Sequence, residues 1–304
     1  MRGGLFVALL GLLTGCAAEA QRQADLAGAG ADNDLPSLDL RSADLSSTGA
    51  LDAPGSDASS KDFAGAMIQL PTANASLDYQ LGGAYTPPVG VQIVSRDRTA
   101  APAAGLFTIC YINGFQIQPD ELAEWEADRP DLILRDGGGN PIIDNDWNEA
   151  LIDVGTSAKR AQVALVVGGW IDGCAAAGFD AIEIDNLDSF ARSQGMLTED
   201  NAVAAIRLFA DHTHAAGLPI AQKNSSELVG RKAEMQTDFA VAEECNRYDE
   251  CDTYRTAYGD LVFVIEYRMQ DFTKGCTNFP NLSIVLRDLD LVTPSDGAYV
   301  YDGC

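Results

Sequence analysis

Two carboxylates share one face of a short strand candidate in the stretch Ala181-Ile-Glu-Ile-Asp-Asn-Leu-Asp188. Alternation points Ala181, Glu183 and Asp185 one way and Ile182 and Ile184 the other. An edge strand with solvated acids would give the same pattern. As a parallel strand of a barrel, the segment would press its isoleucines against helices and turn Glu183 and Asp185 inward. Asp185 would then sit at the C-terminal mouth, where barrel enzymes keep their chemistry.

A second pair of acids stands in Val241-Ala-Glu-Glu-Cys245. Two carboxylates facing each other from different strands are what glycoside hydrolysis needs. One protonates the leaving oxygen, and the other attacks the sugar or activates water. Alternation separates Phe239, Val241 and Glu243 from Ala240, Ala242 and Glu244. Small alanines suit a crowded interior, so periodicity alone turns Glu244 inward rather than Glu243.

Positioning such groups takes strands that converge. Strand candidates are Asp78–Leu81, Val91–Ser95, Phe107–Asn113, Leu151–Val154, Ala181–Asp185, Pro219–Asn224, Phe239–Glu244, Val262–Tyr267 and Ile284–Asp288. Helix candidates between them include Pro119–Ala127, Ala158–Ala177, Glu199–Ala216 and Asp252–Tyr258. Thr198 reads as a helix cap, and Gly178 and Gly217 as helix ends. Strands alternating with helices imply an α/β fold with a parallel sheet. A (β/α)8 TIM barrel is expected over residues 77–304, with Leu151–Val154 or Ile284–Asp288 peripheral. A doubly wound sheet is the alternative, but no GxGxxG opens a helix after a strand. Asn113, Asp185, Lys223-Asn224, Glu243-Glu244 and Glu266-Tyr267 all close strand candidates, and a barrel brings such ends to one mouth.

The segments Leu77-Asp-Tyr-Gln-Leu81, Ile109-Cys-Tyr-Ile-Asn-Gly114, Gly178 to Asp188, Ala221-Gln-Lys-Asn224 and Asp238 to Cys245 together resemble glycoside hydrolase family 114. The resemblance spans nearly the whole stretch from Leu77 onward, in order. It implies a (β/α)8 barrel, endo-α-1,4-polygalactosaminidase activity and a catalytic pair at Asp185 and Glu243. The family's N-E-Q-C-like motif reads Ala242-Glu243-Glu244-Cys245 here, so a second acid replaces an amide. A bulge would reconcile the motif with the alternation. The implied partner is a galactosamine-containing polysaccharide, cationic where it is not acetylated. Glu183, Asp188, Glu244 and Glu266 are candidate contacts for its ammonium groups. Tyr79, Tyr111, Tyr267 and Trp147 could stack on sugar faces, with core packing the alternative. Asn113, Lys223 and Asn224 could bond hydroxyls, or Lys223 could pair with Asp185.

The charge fits that partner. The chain carries a formal net charge of −25. Residues 17–76 hold nine Asp/Glu against three Lys/Arg, so most of the excess lies in the domain. An acidic groove concentrates a polycation, and acidity argues against nucleic acid. No cofactor is expected. A metal site is a poor reading, because only two histidines and no CxxC occur.

Met1-Arg2, an apolar run from Leu5 to Leu13 and Leu13-Thr-Gly-Cys16 make residues 1–15 a signal peptide, too short to span a membrane. They resemble a bacterial lipobox with Cys16 as the lipidated residue. The expected location is the bacterial cell envelope, held by the lipid anchor alone, or secreted if that cut is not used. Residues 16–76, rich in Ala, Ser, Asp and Gly, are expected to form a flexible tether. Six further cysteines suggest three disulfides. The expected pairs are Cys110–Cys174, Cys245–Cys251 and Cys276–Cys304. A monomer is expected.

Overall fold

The computed structural model describes residues 68–304. The expected signal peptide, the lipidation site Cys16 and most of the expected tether lie outside the described residues. Among the described residues twelve strands form: β1 Leu77–Gln80, β2 Ile93–Asp97, β3 Phe107–Asn113, β4 Gln116–Ile117, β5 Ile143–Asp144, β6 Glu149–Leu151, β7 Ala181–Asp185, β8 Ile220–Lys223, β9 Phe239–Glu243, β10 Val262–Glu266, β11 Ser283–Arg287 and β12 Tyr301–Gly303. The helices are α1 Leu122–Asp128, α2 Ser157–Ala177, α3 Ser189–Arg192, α4 Glu199–Ala215, α5 Lys232–Met235, α6 Cys251–Tyr258 and α7 Met269–Asn278. None of the described helices is long and apolar enough to cross a membrane.

Eight parallel strands run in the order β1-β2-β3-β7-β8-β9-β10-β11, and β12 adds antiparallel to β11. The sheet curls into a nearly closed TIM barrel. At its seam the Arg287 guanidinium on β11 reaches Asp78 and the Tyr79 carbonyl on β1, and it also bonds the carbonyls of Val300 and Val292. The first two crossovers carry no helix. Instead Val91, Val94, Ala103 and Leu106 form a small outer cluster there.

Alternation sorts the barrel cleanly. Leu77, Tyr79, Ile93, Ile109, Ala181, Ala221, Phe239, Val241, Phe263, Ile265 and Val285 fill the interior. Ile112, Ile182, Ile184 and Ile220 face out beneath α2 and α4, and Ala240, Ala242, Val262 and Val264 face out beneath α6. Each such aliphatic contributes on the order of 1.5–3 kcal/mol when fully buried. The helices begin and end as their sequences dictate. Thr156 caps α2 through the Lys159 amide, and Gly178 ends it at φ +92°. Thr198 and Asn201 form a reciprocal capping box on α4, and Gly217 follows that helix at φ +81°.

Leu151 proves peripheral, lying in a small antiparallel sheet of order β4-β6-β5 inserted between β3 and α2. Ser283–Arg287, overlapping the Ile284–Asp288 candidate, is the eighth barrel strand. The three expected disulfides are all formed. They tie β3 to α2, close the loop after β9, and fasten the C-terminal residue to α7.

Candidate active site

Three neighbouring strands stop in the same way. Asp185, Lys223 and Glu243 are the last residues of β7, β8 and β9, and each is followed by a residue with positive φ: Asn186 at +62°, Asn224 at +47° and Glu244 at +56°. That turn bends the backbone off the strand and leaves the final inward side chain aimed at the mouth. Asparagine enters the left-handed region readily, whereas glutamate does so at a cost on the order of 1 kcal/mol. The Glu244 amide is held there by the Ile265 carbonyl at 2.7 Å.

Glu243 therefore points inward without a bulge. The interior takes the large residues Phe239 and Val241, while Ala240 and Ala242 lie outside where α6 packs closely. Expecting small alanines inside inverted the face. Glu244 leaves the cleft and pairs with Arg247 at 2.6 Å, so it is not placed to meet a sugar.

Lys223 stands at the centre. Its Nζ lies 3.3 Å from Asp185 Oδ1, 3.1 Å from Glu243 Oε2 and 3.3 Å from Glu183 Oε1. Burial alone would lower its pKa, but Asp185, Glu243, Tyr79 and Glu183 together hold it well above the ordinary lysine value. Asp185 also accepts from Tyr111 Oη and from the Asn186 amide, both at 2.8 Å. Glu243 accepts from Tyr267 Oη and from Asn224 Nδ2 at 3.0 Å, and its own amide donates to Asn224 Oδ1 at 2.8 Å. These groups line a cleft of about 440 Å³ that also exposes Trp147, Glu149, Asp188 and Arg192.

Several expected contacts lie beneath the cleft instead. Tyr79 is fully buried; its hydroxyl donates to Glu183 Oε1 at 2.6 Å and accepts from Lys223 at 3.0 Å. Glu183 is equally buried and also accepts from Ser95 at 2.8 Å, and burial raises its pKa. Neither can touch a sugar; they form the floor that holds Lys223. Glu266 is an outward residue of β10, behind the barrel wall, where the Asn246 amide and Nδ2 donate to its Oε1. It is not a substrate contact, because alternation gives the inward positions to Ile265 and Tyr267. Asn113 is buried and clamps Glu149 at 2.8 Å rather than lining the opening. Asp188 reaches the rim but is paired to Arg192 at 2.6 Å.

Tyr111, Tyr267, Asn224 and Lys223 do line the cleft beside Asp185 and Glu243. Glu149 and Arg192 were absent from the sequence reading, since they belong to the inserted sheet and to a one-turn helix with no periodic signal. Asn186 lies inside the Ala181–Asp188 stretch, and its polar type after a strand end was the available clue.

No curated protein matches the chain. Among solved structures it is similar to Ega3 of Aspergillus fumigatus in complex with galactosamine, with a TM-score of 0.63, 20% identity, 78% of this chain covered and 98% of that one. It is also similar to a variant of the glycoside hydrolase domain of PelA from Pseudomonas aeruginosa, with a TM-score of 0.52, 13% identity, 74% of this chain and 98% of that one covered. At these identities the likeness is one of fold. The model of glycoside-hydrolase family GH114 matches residues 58–304, which is most of the sequence, and the chain belongs to that family.

Proposed function

We propose that this glycoside hydrolase cleaves within chains of α-1,4-linked, partly deacetylated polygalactosamine, using Asp185 and Glu243. One observation carries the reading: both carboxylates touch the same lysine nitrogen in an open cleft. The two contacts cap the separation of Asp185 Oδ1 and Glu243 Oε2 at about 6.4 Å. Carboxyl pairs lie about 5–5.5 Å apart in retaining glycosidases and roughly 6.5–9.5 Å apart in inverting ones. The bound places both acids within reach of one glycosidic bond, and the proposed cycle takes the retaining route.

In the proposed cycle Asp185, the shorter acid pinned by a backbone amide, attacks the anomeric carbon. Glu243, the more exposed of the two, gives its proton to the departing oxygen as the C1–O bond breaks. Glu243 then takes a proton from water, whose oxygen displaces Asp185 from C1. Tyr111 and Tyr267 hold the two acids in register through their hydroxyls. The galactosamine in the Ega3 structure supports the amino-sugar substrate, as does the acidity of the domain. Trp147, exposed at the rim, offers a stacking face to a sugar further along the chain.

Export and lipid anchoring through Cys16 belong to the same proposal. They rest on the apolar run and the Leu13-Thr-Gly-Cys16 sequence. Incorporation of labelled fatty acid that survives Cys16→Ala would remove that part.

The function is tested by digesting a defined galactosamine oligomer and following it by mass spectrometry and proton NMR. The proposal expects internal cleavage with the α configuration kept in the first product. Binding without cleavage would make the protein a carbohydrate-holding barrel, and β-anomer release would exclude the retaining route.

A further inference from the structure

Glu149 is a carboxylate in the cleft that the catalytic scheme leaves unused. It opens β6, directly after the hairpin turn that carries Trp147. One of its oxygens is fixed: Oε2 accepts from Asn113 Nδ2 at 2.8 Å and from Asn186 Nδ2 at 3.5 Å. Asn186 in turn donates its side chain to Asn113 Oδ1 at 3.0 Å and its backbone amide to Asp185 Oδ1 at 2.8 Å. This amide relay sets the Glu149 carboxyl beside the proposed nucleophile.

The other oxygen, Oε1, has no hydrogen-bond partner among the described residues, and Glu149 forms no ion pair there. The cleft's two cations are both engaged elsewhere. Lys223 is shared by Asp185, Glu243 and Glu183, and Arg192 is held by Asp144 at 2.7 Å and Asp188 at 2.6 Å. Half-burial raises the pKa of Glu149, and neighbouring Asp185 and Asp144 add to that against the Asn113 bond and Arg192. A partly desolvated acid kept among other acids is costly to the free enzyme. That cost is offset when a cation enters and pairs with it.

We infer that Glu149 is the residue that selects the charged amino sugar, its free Oε1 taking the ammonium on the carbon next to the one Asp185 attacks. The inference rests on the reading of the site as a galactosaminidase and deepens it. The relay explains the placement, because that carbon is bonded to the reacting centre, which puts its ammonium two bonds away and therefore close to Asp185. An N-acetyl group there has no charge to satisfy Glu149. The enzyme then prefers deacetylated residues at that position, and the preference belongs to this one carboxylate rather than to the acidity of the whole domain.

The test compares kcat/KM on a fully deacetylated galactosamine oligomer and on its N-acetylated counterpart, for wild type, Glu149→Gln and Glu149→Ala. Gln keeps an acceptor for Asn113 and removes the charge. Expected is a ten- to hundredfold fall on the deacetylated oligomer, the range of a charge-assisted hydrogen bond. Whatever is lost on the acetylated oligomer through the Asn113–Asn186 relay, the fall on the deacetylated one should exceed it about tenfold, so the ratio of the two collapses. If Gln unsettles the fold, the Ala variant gives the same ratio provided its melting curve matches wild type. Equal losses on both oligomers would make Glu149 a positioning residue, and no loss on either would remove it from recognition; either overturns the inference. If wild type cleaves neither oligomer, the functional reading itself has failed, which is a different result.

Discussion

Lys223 and Glu183 form an ion pair at 3.3 Å with both side chains sealed from solvent at the floor of the cleft. Removing one partner of such a pair leaves an uncompensated charge, at a cost of roughly 3–5 kcal/mol. Lys223→Met should lose about that much stability in urea unfolding, and activity with it. Adding Glu183→Gln should restore much of the stability and none of the activity. Recovery of both would show that the lysine only holds the barrel together.

Glu266 lends itself to a pH experiment. Burial behind the barrel wall raises its carboxyl to about 7, against the two Asn246 hydrogen bonds, with Asp271 and Glu244 adding to the rise. An unfolded glutamate titrates near 4.3. The folded protein therefore keeps a proton that the unfolded chain gives up, and the stability linked to it is present in full below about pH 4.3. It is lost as pH rises through about 7. The difference is at most roughly 4 kcal/mol. Glu266→Gln should flatten the decline in urea midpoint between pH 5 and pH 8; an unchanged slope would assign the decline to other groups.

The disulfides should differ in what they contribute. Cys110–Cys174 joins residues 64 apart and Cys245–Cys251 residues only 6 apart. Chain-entropy scaling gives about 4 kcal/mol for the first and about 2 kcal/mol for the second. Paired Cys→Ala variants compared by chemical unfolding should keep that order. The shorter loop follows Glu243 directly, so its loss should lower kcat more than its stability cost implies. Equal activity in both variants would contradict that.

Much of the barrel was legible because period-two alternation and helix caps are local. Of the disulfides only Cys245–Cys251 could be paired from the positions of the cysteines; six cysteines allow fifteen connectivities, and the other two pairs were guesses that match the structure. Glu243 was harder. Its face depends on how closely α6 packs on β9, and no local pattern reports that distance. Glu266 and Glu183 looked like site residues because acids at strand ends are conspicuous, yet one faces outward and the other lies a layer too deep. Glu149 was invisible for the opposite reason. It reaches the cleft from a three-stranded insertion whose strands are two or three residues long, too short to register as a period.

The central claim is that Asp185 and Glu243 cleave one glycosidic bond between them. The most direct measurement incubates a defined galactosamine oligomer with wild type, Asp185→Asn and Glu243→Gln and follows the products by mass spectrometry. Each variant should lose at least a hundredfold in rate, in the range general acid–base catalysis supplies, while melting like wild type and still binding the oligomer. A Glu243→Gln protein that shortens the oligomer as fast as wild type would contradict the account.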